Sequence, residues 1–157
     1  MTKRSAGLLV YRVTGEGVVV LLVHPGGPFW AKREDGAWSI PKGEYQPDED
    51  PHAAAIREFE EELGVEPPSN PPVDLGEVRQ AGGKFVRAWA VRGDLDVESI
   101  VSNTFEMEWP PRSGRSQIFP EVDRAEWCDS ATARCRMIPA QIAFLDALDR
   151  LLETEQL

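Results

Sequence analysis

A helix with two chemically different faces is predicted between Pro51 and Leu63, and it constrains the fold more than any other segment. Asp50 suits the N-cap position, Pro51 the first helical position, and Gly64 the left-handed residue that closes a helix. Apolar residues recur at helical spacing along one face and are expected to pack on a sheet; they are Ala55, Ile56, Phe59 and Leu63. The chain is therefore predicted to bury one face of this helix and to expose the other.

The exposed face of this helix carries three carboxylates. Glu58, Glu61 and Glu62 follow the i, i+3, i+4 spacing, so they lie on one side of the helix. Like charges this close repel one another unless a cation lies among them. Carboxylate oxygens are hard ligands that suit Mg²⁺ or Mn²⁺, and Mg²⁺ commonly shares its coordination with substrate phosphates. The simpler interpretation is a solvated acidic surface, which is the usual role of glutamate on a helix.

The residues around this helix decide between the two interpretations. The stretch from Gly43 to Val65 fits the pattern G-x5-E-x7-R-E-U-x-E-E-x-G-U, where U is apolar, at every specified position. It resembles the signature of the Nudix hydrolase family. The resemblance implies an α+β protein with the Nudix fold, in which a mixed β-sheet is sandwiched between helices (α/β/α) and the motif forms a loop-helix-loop. Length predicts that residues 1–157 form a single domain, and the resemblance implies that this is a Nudix hydrolase domain.

The resemblance also implies an enzyme and roles for the motif residues. Nudix hydrolases generally hydrolyse a diphosphate linkage in a nucleoside diphosphate joined to another group, with the help of a divalent cation. By resemblance, Glu58, Glu61 and Glu62 are predicted to bind the metal, together with the backbone carbonyl of Gly43. Arg57 resembles the arginine that orients a motif glutamate by ion pairing, and its position four residues before Glu61 makes that pair feasible. Glu58, Glu61 and Arg57 are thus the predicted catalytic residues of the motif, and Mg²⁺ or Mn²⁺ is the predicted cofactor.

The general base is open to two interpretations at this stage. Some relatives use a motif glutamate, and others use a carboxylate from a later loop. Glu121, six residues before Trp127, occupies a place like that of the later glutamate and is a fourth predicted catalytic residue. Its alternative role is that of an ordinary exposed glutamate. Glu106 and Glu108 are weaker candidates, because a half-exposed strand explains their alternation with apolar residues.

Lys42 is the first of the predicted substrate-binding residues. The sequence from Trp38 to Gly43 reads W-x-x-P-K-G and is similar to the version found in diadenosine polyphosphate and diphosphoinositol polyphosphate hydrolases. Lysine at this position is predicted to hold a distal phosphate as a point charge, against the alternative of an idle surface lysine. Arg33 is a further phosphate candidate, with Lys84 and Arg115 behind it.

The loop from His24 to Gly36 is rich in glycine and proline and carries aromatic side chains suited to contact a ligand. Trp38 is predicted to bind substrate by stacking on a base, as are Phe29 and Trp30, although tryptophan more often serves for packing. His24 and His52 have no partner at a useful spacing, so no catalytic or zinc role is assigned to either.

Charge and cysteine content restrict the partners. The formal net charge is -10, which argues against a nucleic acid polymer or an anionic membrane surface and leaves a small nucleotide or other diphosphate as the expected partner. Cys128 and Cys135 form no metal-binding spacing, so we expect free thiols in a reducing environment. The apolar runs near the N-terminus are too short to span a bilayer, and the protein is expected in the cytoplasm. The oligomeric state cannot be inferred.

The remaining secondary structure is predicted from alternation, turn residues and caps. Strands are expected at Ala6–Val13, Val18–Val23, Ala37–Ile40, Val73–Gln80, Lys84–Val91, Thr104–Trp109 and Ala125–Cys128. A short helix capped by Asp129 and a final helix near Pro139–Glu153 complete the list. The break at Pro110–Gly114 is a candidate lid over the ligand.

Several functions remain open. A dinucleoside polyphosphate or a nucleoside triphosphate is the favoured substrate, with ADP-ribose, nucleotide sugars and diphosphoinositol phosphates as alternatives. A Nudix module that senses a nucleotide without turnover is the alternative outside enzymes. A calcium-binding EF-hand loop, prompted by Asp48 to Asp50, does not meet the required pattern.

Overall fold

A computed structural model describes residues 2–155, and its sheet separates two helical layers. The strands are β1 Arg4–Thr14, β2 Gly17–Pro25, β3 Lys42–Glu44, β4 Val73–Arg79, β5 Phe85–Arg92, β6 Thr104–Glu108, β7 Ser116–Pro120 and β8 Val122–Asp129. The α-helices are α1 Pro51–Leu63, α2 Ser130–Arg136 and α3 Ile142–Glu155, with short 3-10 helices at Val97–Ser99 and Pro139–Gln141. No helix in the described range has both the length and the apolar character needed to cross a membrane.

The main sheet is mixed and has β1 at its centre. The strand order is β4-β5-β1-β2-β8, and β3 also pairs with β1. The β1–β5 pair is parallel, whereas the other pairs are antiparallel. Along one edge of β1, residues Ser5–Gly7 pair with β3 and Tyr11–Thr14 pair with β2. This shared edge brings the start of the motif against the central strand.

Alternation along β1 builds a core on each face of the sheet. Leu9 and Tyr11 face the layer of α2 and α3, while Leu8 and Val10 face α1. Burial of each such leucine side chain contributes about 1.5–3 kcal/mol to the stability of the fold. The predicted α+β fold with a mixed sheet between helices is confirmed.

Helix α1 spans the predicted residues and has the predicted caps. The Asp50 carboxylate accepts a hydrogen bond from the backbone N–H of Ala53 at 3.0 Å, and Gly64 ends the helix with a φ of 67°. Its buried residues are Ala54, Ala55, Phe59 and Leu63. The apolar stripe therefore lies on the sheet, and the acidic residues lie beside it.

The strand predicted at Ala37–Ile40 is wrong. Only isolated bridges form there, between Ser39 and Val23 and between Trp38 and Met137. The segment forms no continuous strand because neighbouring residues bond to different parts of the chain. The N–H of Trp38 donates to the carbonyl of Arg136, and the N–H of Ser39 donates to the carbonyl of Val23. Its apolar residues are nevertheless buried, which explains the strand-like pattern.

Strand β7 is absent from the sequence-based prediction. It pairs with β6 in a separate two-stranded sheet, and Pro110–Gly114 lies in the turn of this hairpin. Most of β7 is exposed, so apolar and polar residues do not alternate along its sequence. Strand β8 begins at Val122 rather than Ala125, and α3 follows a 3-10 turn instead of starting at Pro139.

Candidate active site

The site begins where β3 meets α1. Pairing with β1 holds Gly43 opposite Ala6, and the carboxylate of Glu58 packs against the α-carbon of Gly43. A β-carbon built on Gly43 would overlap the Glu58 carboxylate. Gly43 has no left-handed φ, so the effect of a side chain there is one of space: the Glu58 carboxylate would have to move from its present position.

Arg57 connects the carboxylates of the motif. Its guanidinium donates to Glu58 Oε1 at 2.9 Å and Glu61 Oε1 at 3.3 Å through Nη1, and to Glu49 Oε2 at 3.1 Å through Nη2. The predicted ion pair between Arg57 and Glu61 is present. Glu49 was given no role from the sequence, although its fixed place in the motif was the available signal. Its carboxylate also accepts the backbone N–H of Gln46 at 3.0 Å, which fixes the loop before α1.

Glu62 and Lys42 are half-buried neighbours joined by a backbone hydrogen bond. The backbone N–H of Lys42 donates to Glu62 Oε2 at 3.3 Å. Burial raises the pKa of Glu62 to about 8, while the charge of Lys42 opposes that rise. Burial and the nearby charge of Lys84 lower the pKa of the Lys42 ammonium below its usual range. Both side chains are partly shielded from water, so a charge on either would interact strongly with a bound ligand.

Glu121 lies beside this motif cluster although it is distant in sequence. Burial is the main cause that raises the pKa of Glu58, and the negative charges of Glu61 and Glu121 add to it. The charge of Glu121 likewise adds to the raised pKa of Glu62. The Glu121 backbone is held at both ends, since its carbonyl accepts the N–H of Gly26 and its N–H donates to Asn103, both at 2.9 Å.

A cavity of about 200 Å³ opens next to these charges. Lys42, Glu62 and Glu121 line its polar part, and Trp30 contributes an aromatic side chain that is 38% exposed. The apolar lining comes from Val23, Pro25, Ala37, Ile40, Val122 and Ile138. A small cavity lined by both charged and apolar side chains matches a ligand that has both phosphate and ring character.

The predicted aromatic and basic substrate-binding residues do not all lie at the cavity. Trp38 is fully buried and its indole Nε1 donates to Glu34 Oε2 at 2.9 Å, so the prediction that Trp38 binds substrate does not fit its position in the core. Arg33 lies with its guanidinium over the ring of Trp30, at 5.3 Å from the centroid, and so reaches the aromatic rim of the cavity. Phe29 packs edge-on against Trp109 with a centroid distance of 5.5 Å.

The two histidines also differ. His24, described from the sequence as isolated, is fully buried and contacts Asp123 and the carbonyl of Arg33. That description was wrong because Asp123 lies 99 residues away in the chain. His52 packs edge-on against Trp89 at a centroid distance of 5.2 Å.

The motif carboxylates accept hydrogen bonds from protein groups and do not converge on a common point. Within residues 2–155, no three His, Cys, Asp or Glu side chains are gathered in a geometry that would hold a metal ion as they stand. Arg57 engages Glu58 and Glu61, while Glu62 accepts from the Lys42 backbone.

The comparisons with known proteins agree with this architecture. An RNA pyrophosphohydrolase from Rhodospirillum rubrum is 44% identical over 64 residues, a match that covers 39% of this chain and 37% of that protein. The chain thus matches well under half the length of this curated relative. The C. elegans Ap4A hydrolase, solved as a binary complex, superposes with a TM-score of 0.68 at 21% identity, covering 96% of this chain and 98% of that chain.

A second solved structure shares the fold. The NUDIX domain of Shewanella oneidensis NrtR, complexed with ADP ribose, has a TM-score of 0.62 at 17% identity, with coverage of 96% of this chain and 89% of that chain. These identities establish the fold alone. The NUDIX domain model matches residues 1–148, which is nearly the whole sequence. The chain therefore belongs to the NUDIX domain family.

Proposed function

We propose that residues 1–157 form a single Nudix hydrolase domain that uses Mg²⁺ or Mn²⁺ to hydrolyse a diphosphate linkage in a nucleoside diphosphate joined to another group. The observation that carries this proposal is a cavity lined by Glu62, Glu121 and Lys42, with Glu58 near enough for its charge to act on Glu62. Carboxylates crowded in this way favour a divalent cation, and the lysine favours a phosphate.

The residues present fit a hard divalent cation. Glu58 and Glu62 offer oxygen ligands, and burial makes the charged form of each costly until a cation neutralises it. The absent side chain at Gly43 leaves room for the Glu58 carboxylate. The backbone carbonyl of Gly43 would be a further oxygen ligand. Glu61 would serve directly or through a water. When bound, the cation would neutralise phosphate charge and acidify the attacking water.

The remaining residues have separate duties in this proposal. Arg57 keeps the Glu58 and Glu61 carboxylates in place, because its Nη1 donates to both. Glu121 lines the cavity together with Glu62 of the motif helix and would take a proton from water. Glu58 or Glu61 is the alternative base.

The substrate is proposed from the charged and aromatic residues that line the cavity. Lys42 would bind a phosphate beyond the one attacked, and Trp30 with Arg33 would border the base. Dinucleoside polyphosphates and nucleoside triphosphates have both features. The names of two similar proteins, an Ap4A hydrolase and an RNA pyrophosphohydrolase, support a substrate with a nucleotide polyphosphate group.

Product release from a substrate panel tests this function. Diadenosine polyphosphates, nucleoside triphosphates, ADP-ribose, nucleotide sugars and diphosphoinositol phosphates would each be incubated with Mg²⁺ and with EDTA. We expect metal-dependent release of phosphate-containing products by the natural sequence, and a loss of at least about 100-fold for Glu62→Gln. Turnover that persists in EDTA would contradict the proposal.

A nucleotide sensor without turnover is the second candidate. The specific observation in its favour is the structural similarity to the NrtR NUDIX domain, which was solved with ADP ribose. Nucleotide binding measured by calorimetry, with no product from any compound in the panel, would support the sensor and contradict the hydrolase.

A further inference from the structure

His24 is a buried, titratable side chain that the proposed reaction does not use. Its ring is fully buried and packs edge-on against Trp38 at a centroid distance of 5.2 Å. Nε2 lies 2.6 Å from the carbonyl oxygen of Arg33, and Nδ1 lies 2.7 Å from Asp123 Oδ1. A carbonyl only accepts, so Nε2 carries a proton and donates it to Arg33. The second contact joins Nδ1 to the Asp123 carboxylate, so each ring nitrogen has a polar partner.

The first partner connects His24 to the aromatic wall of the cavity. Arg33 belongs to the loop that follows β2, and its backbone N–H donates to the carbonyl of Trp30 at 3.0 Å. The Arg33 guanidinium also lies over the Trp30 ring. Trp30 is therefore held by a residue whose own carbonyl is fixed by the imidazole.

The second partner connects His24 to the acidic wall. In the pairing of β2 with β8, His24 lies opposite Arg124 and Pro25 lies opposite Val122. Asp123 is therefore an extra residue at a β-bulge in β8. A bulge redirects a side chain, and here the Asp123 carboxylate meets the buried imidazole. Glu121 is two residues before Asp123, and its carbonyl accepts the N–H of Gly26, two residues after His24.

We propose that His24 is a positioning residue that fixes the separation between Trp30 and Glu121, the two walls of the cavity. This inference rests on the proposed function, because it assumes that Trp30 and Glu121 contact the substrate. The imidazole is rigid and has a polar contact at each of its two nitrogens, so a single side chain joins the loop to β8. Removing it leaves the Arg33 carbonyl and the Asp123 carboxylate without this partner, and both walls lose a common support.

A double-mutant cycle between His24 and Glu121 tests the proposal. The variants are His24→Gln, Glu121→Gln and their combination, each assayed for kcat and KM with Mg²⁺ and the best nucleotide substrate. We expect Glu121→Gln to lower kcat by about 100-fold. We expect His24→Gln to lower kcat by about tenfold and to raise KM, because both walls shift. In the double variant, His24→Gln should cause no further loss of kcat, since the group that it positions is gone.

Controls separate positioning from general loss of structure. His52→Gln makes the same substitution in a histidine on α1 that packs against Trp89, and we expect unchanged kcat and KM. Asp123→Asn serves if His24→Gln does not fold, since the Asp123 side chain is 31% exposed and the core stays filled. Binding of a non-hydrolysable nucleotide without metal gives a readout besides activity, and His24→Gln or Asp123→Asn should weaken it about tenfold.

The outcomes have distinct meanings. Additive losses in the cycle, or a folded His24→Gln protein whose kcat, KM and nucleotide affinity match those of the natural sequence, would overturn the positioning role and leave the hydrolase standing. A nucleotide that binds tightly to every variant and is never hydrolysed would instead remove the proposed function, and with it this inference.

Discussion

The carboxylate of Glu58 lies against the α-carbon of Gly43, in space that any other side chain would occupy. The contact joins a strand residue to a helix residue across the start of the motif. It explains in physical terms why a glycine stands there: β3 and α1 must approach closely enough for the Glu58 carboxylate to reach the backbone of residue 43. The approach itself depends on β3 pairing with β1.

Gly43→Ala is predicted to displace Glu58. The added methyl group overlaps that carboxylate, and the side chain must rotate away. A shift of about 1 Å at such a site costs about 100-fold in rate, so kcat/KM should fall by about this factor. Mn²⁺ titration by calorimetry should show weaker binding. Gly15→Ala is the matched control, because nothing lies within 4 Å of a β-carbon at Gly15. Equal metal affinity in the two variants would contradict the prediction.

Arg57→Lys is predicted to affect activity far more than stability. Lysine keeps the charge but cannot donate in the forked geometry that reaches Glu49, Glu58 and Glu61. The Arg57 side chain is 41% exposed, so the free energy of unfolding should change by less than about 1 kcal/mol. We expect kcat to fall at least about tenfold.

Arg134→Lys is the control for that variant. Arg134 also engages more than one carboxylate, those of Asp146 and Asp149, but it lies on α2 across the sheet from α1. Its replacement should leave kcat unchanged. A similar kcat for the Arg57 and Arg134 variants would show that Arg57 is only a surface ion pair.

The stability of the metal-free protein is predicted to fall as the pH rises. Burial raises the pKa of Glu62 from its ordinary 4.5 to about 8, so the folded state binds more protons than the unfolded state between these values. Stability is therefore highest below about pH 4.5 as far as Glu62 is concerned, decreases up to about pH 8, and then levels off. Denaturant unfolding of the natural sequence and of Glu62→Gln, each in EDTA from pH 5 to pH 9, measures this difference.

The Glu62→Gln variant should show a weaker decrease over that range, since the amide cannot ionise. Calorimetry adds a second check, because Mg²⁺ binding near pH 7 should release protons from the natural sequence and fewer from the variant. Parallel pH profiles for the two proteins would mean that Glu62 ionises normally in the folded state.

Lys42→Met is predicted to weaken substrate binding through lost charge. Methionine fills similar space, and the hydrogen bond from residue 42 to Glu62 is retained because its donor is the backbone. KM should rise about tenfold for substrates with a phosphate beyond the cleaved bond, and less for ADP-ribose. Lys32→Met, which changes an exposed lysine in the loop after β2, should leave KM unaltered. The same increase for every substrate would argue against a distal phosphate contact.

Trp30→Leu is predicted to reduce the preference for a base. Stacking on an aromatic ring contributes about 1–3 kcal/mol per base, so KM for a nucleotide should rise about tenfold. Inorganic tripolyphosphate has no ring, and its inhibition constant should not change. Phe29→Leu is the comparison, because Phe29 packs against Trp109 and does not line the cavity. Equal effects on nucleotide and tripolyphosphate would mean that Trp30 supports the cavity without contacting a base.

Local rules were enough to predict α1 and the acidic cluster on it. Glu58, Glu61 and Glu62 lie within about one helical turn of each other, on one face. The caps at Asp50 and Gly64 depend on neighbouring residues only. The ion pair between Arg57 and Glu61 is equally local. These features could be predicted because helix geometry fixes which side chains meet within a few residues.

Tertiary structure decided the rest of the site. Trp38 and Trp30 look alike in sequence, yet Trp38 is fully buried and Trp30 borders the cavity. A bridge to Met137, 99 residues away, holds Trp38 in the core, whereas Trp30 lies in the exposed loop after β2. His24 found its partner 99 residues away through the pairing of β2 with β8. A short-range pattern carries no information on such a pairing, since the register between distant strands is set by the packing of the whole sheet.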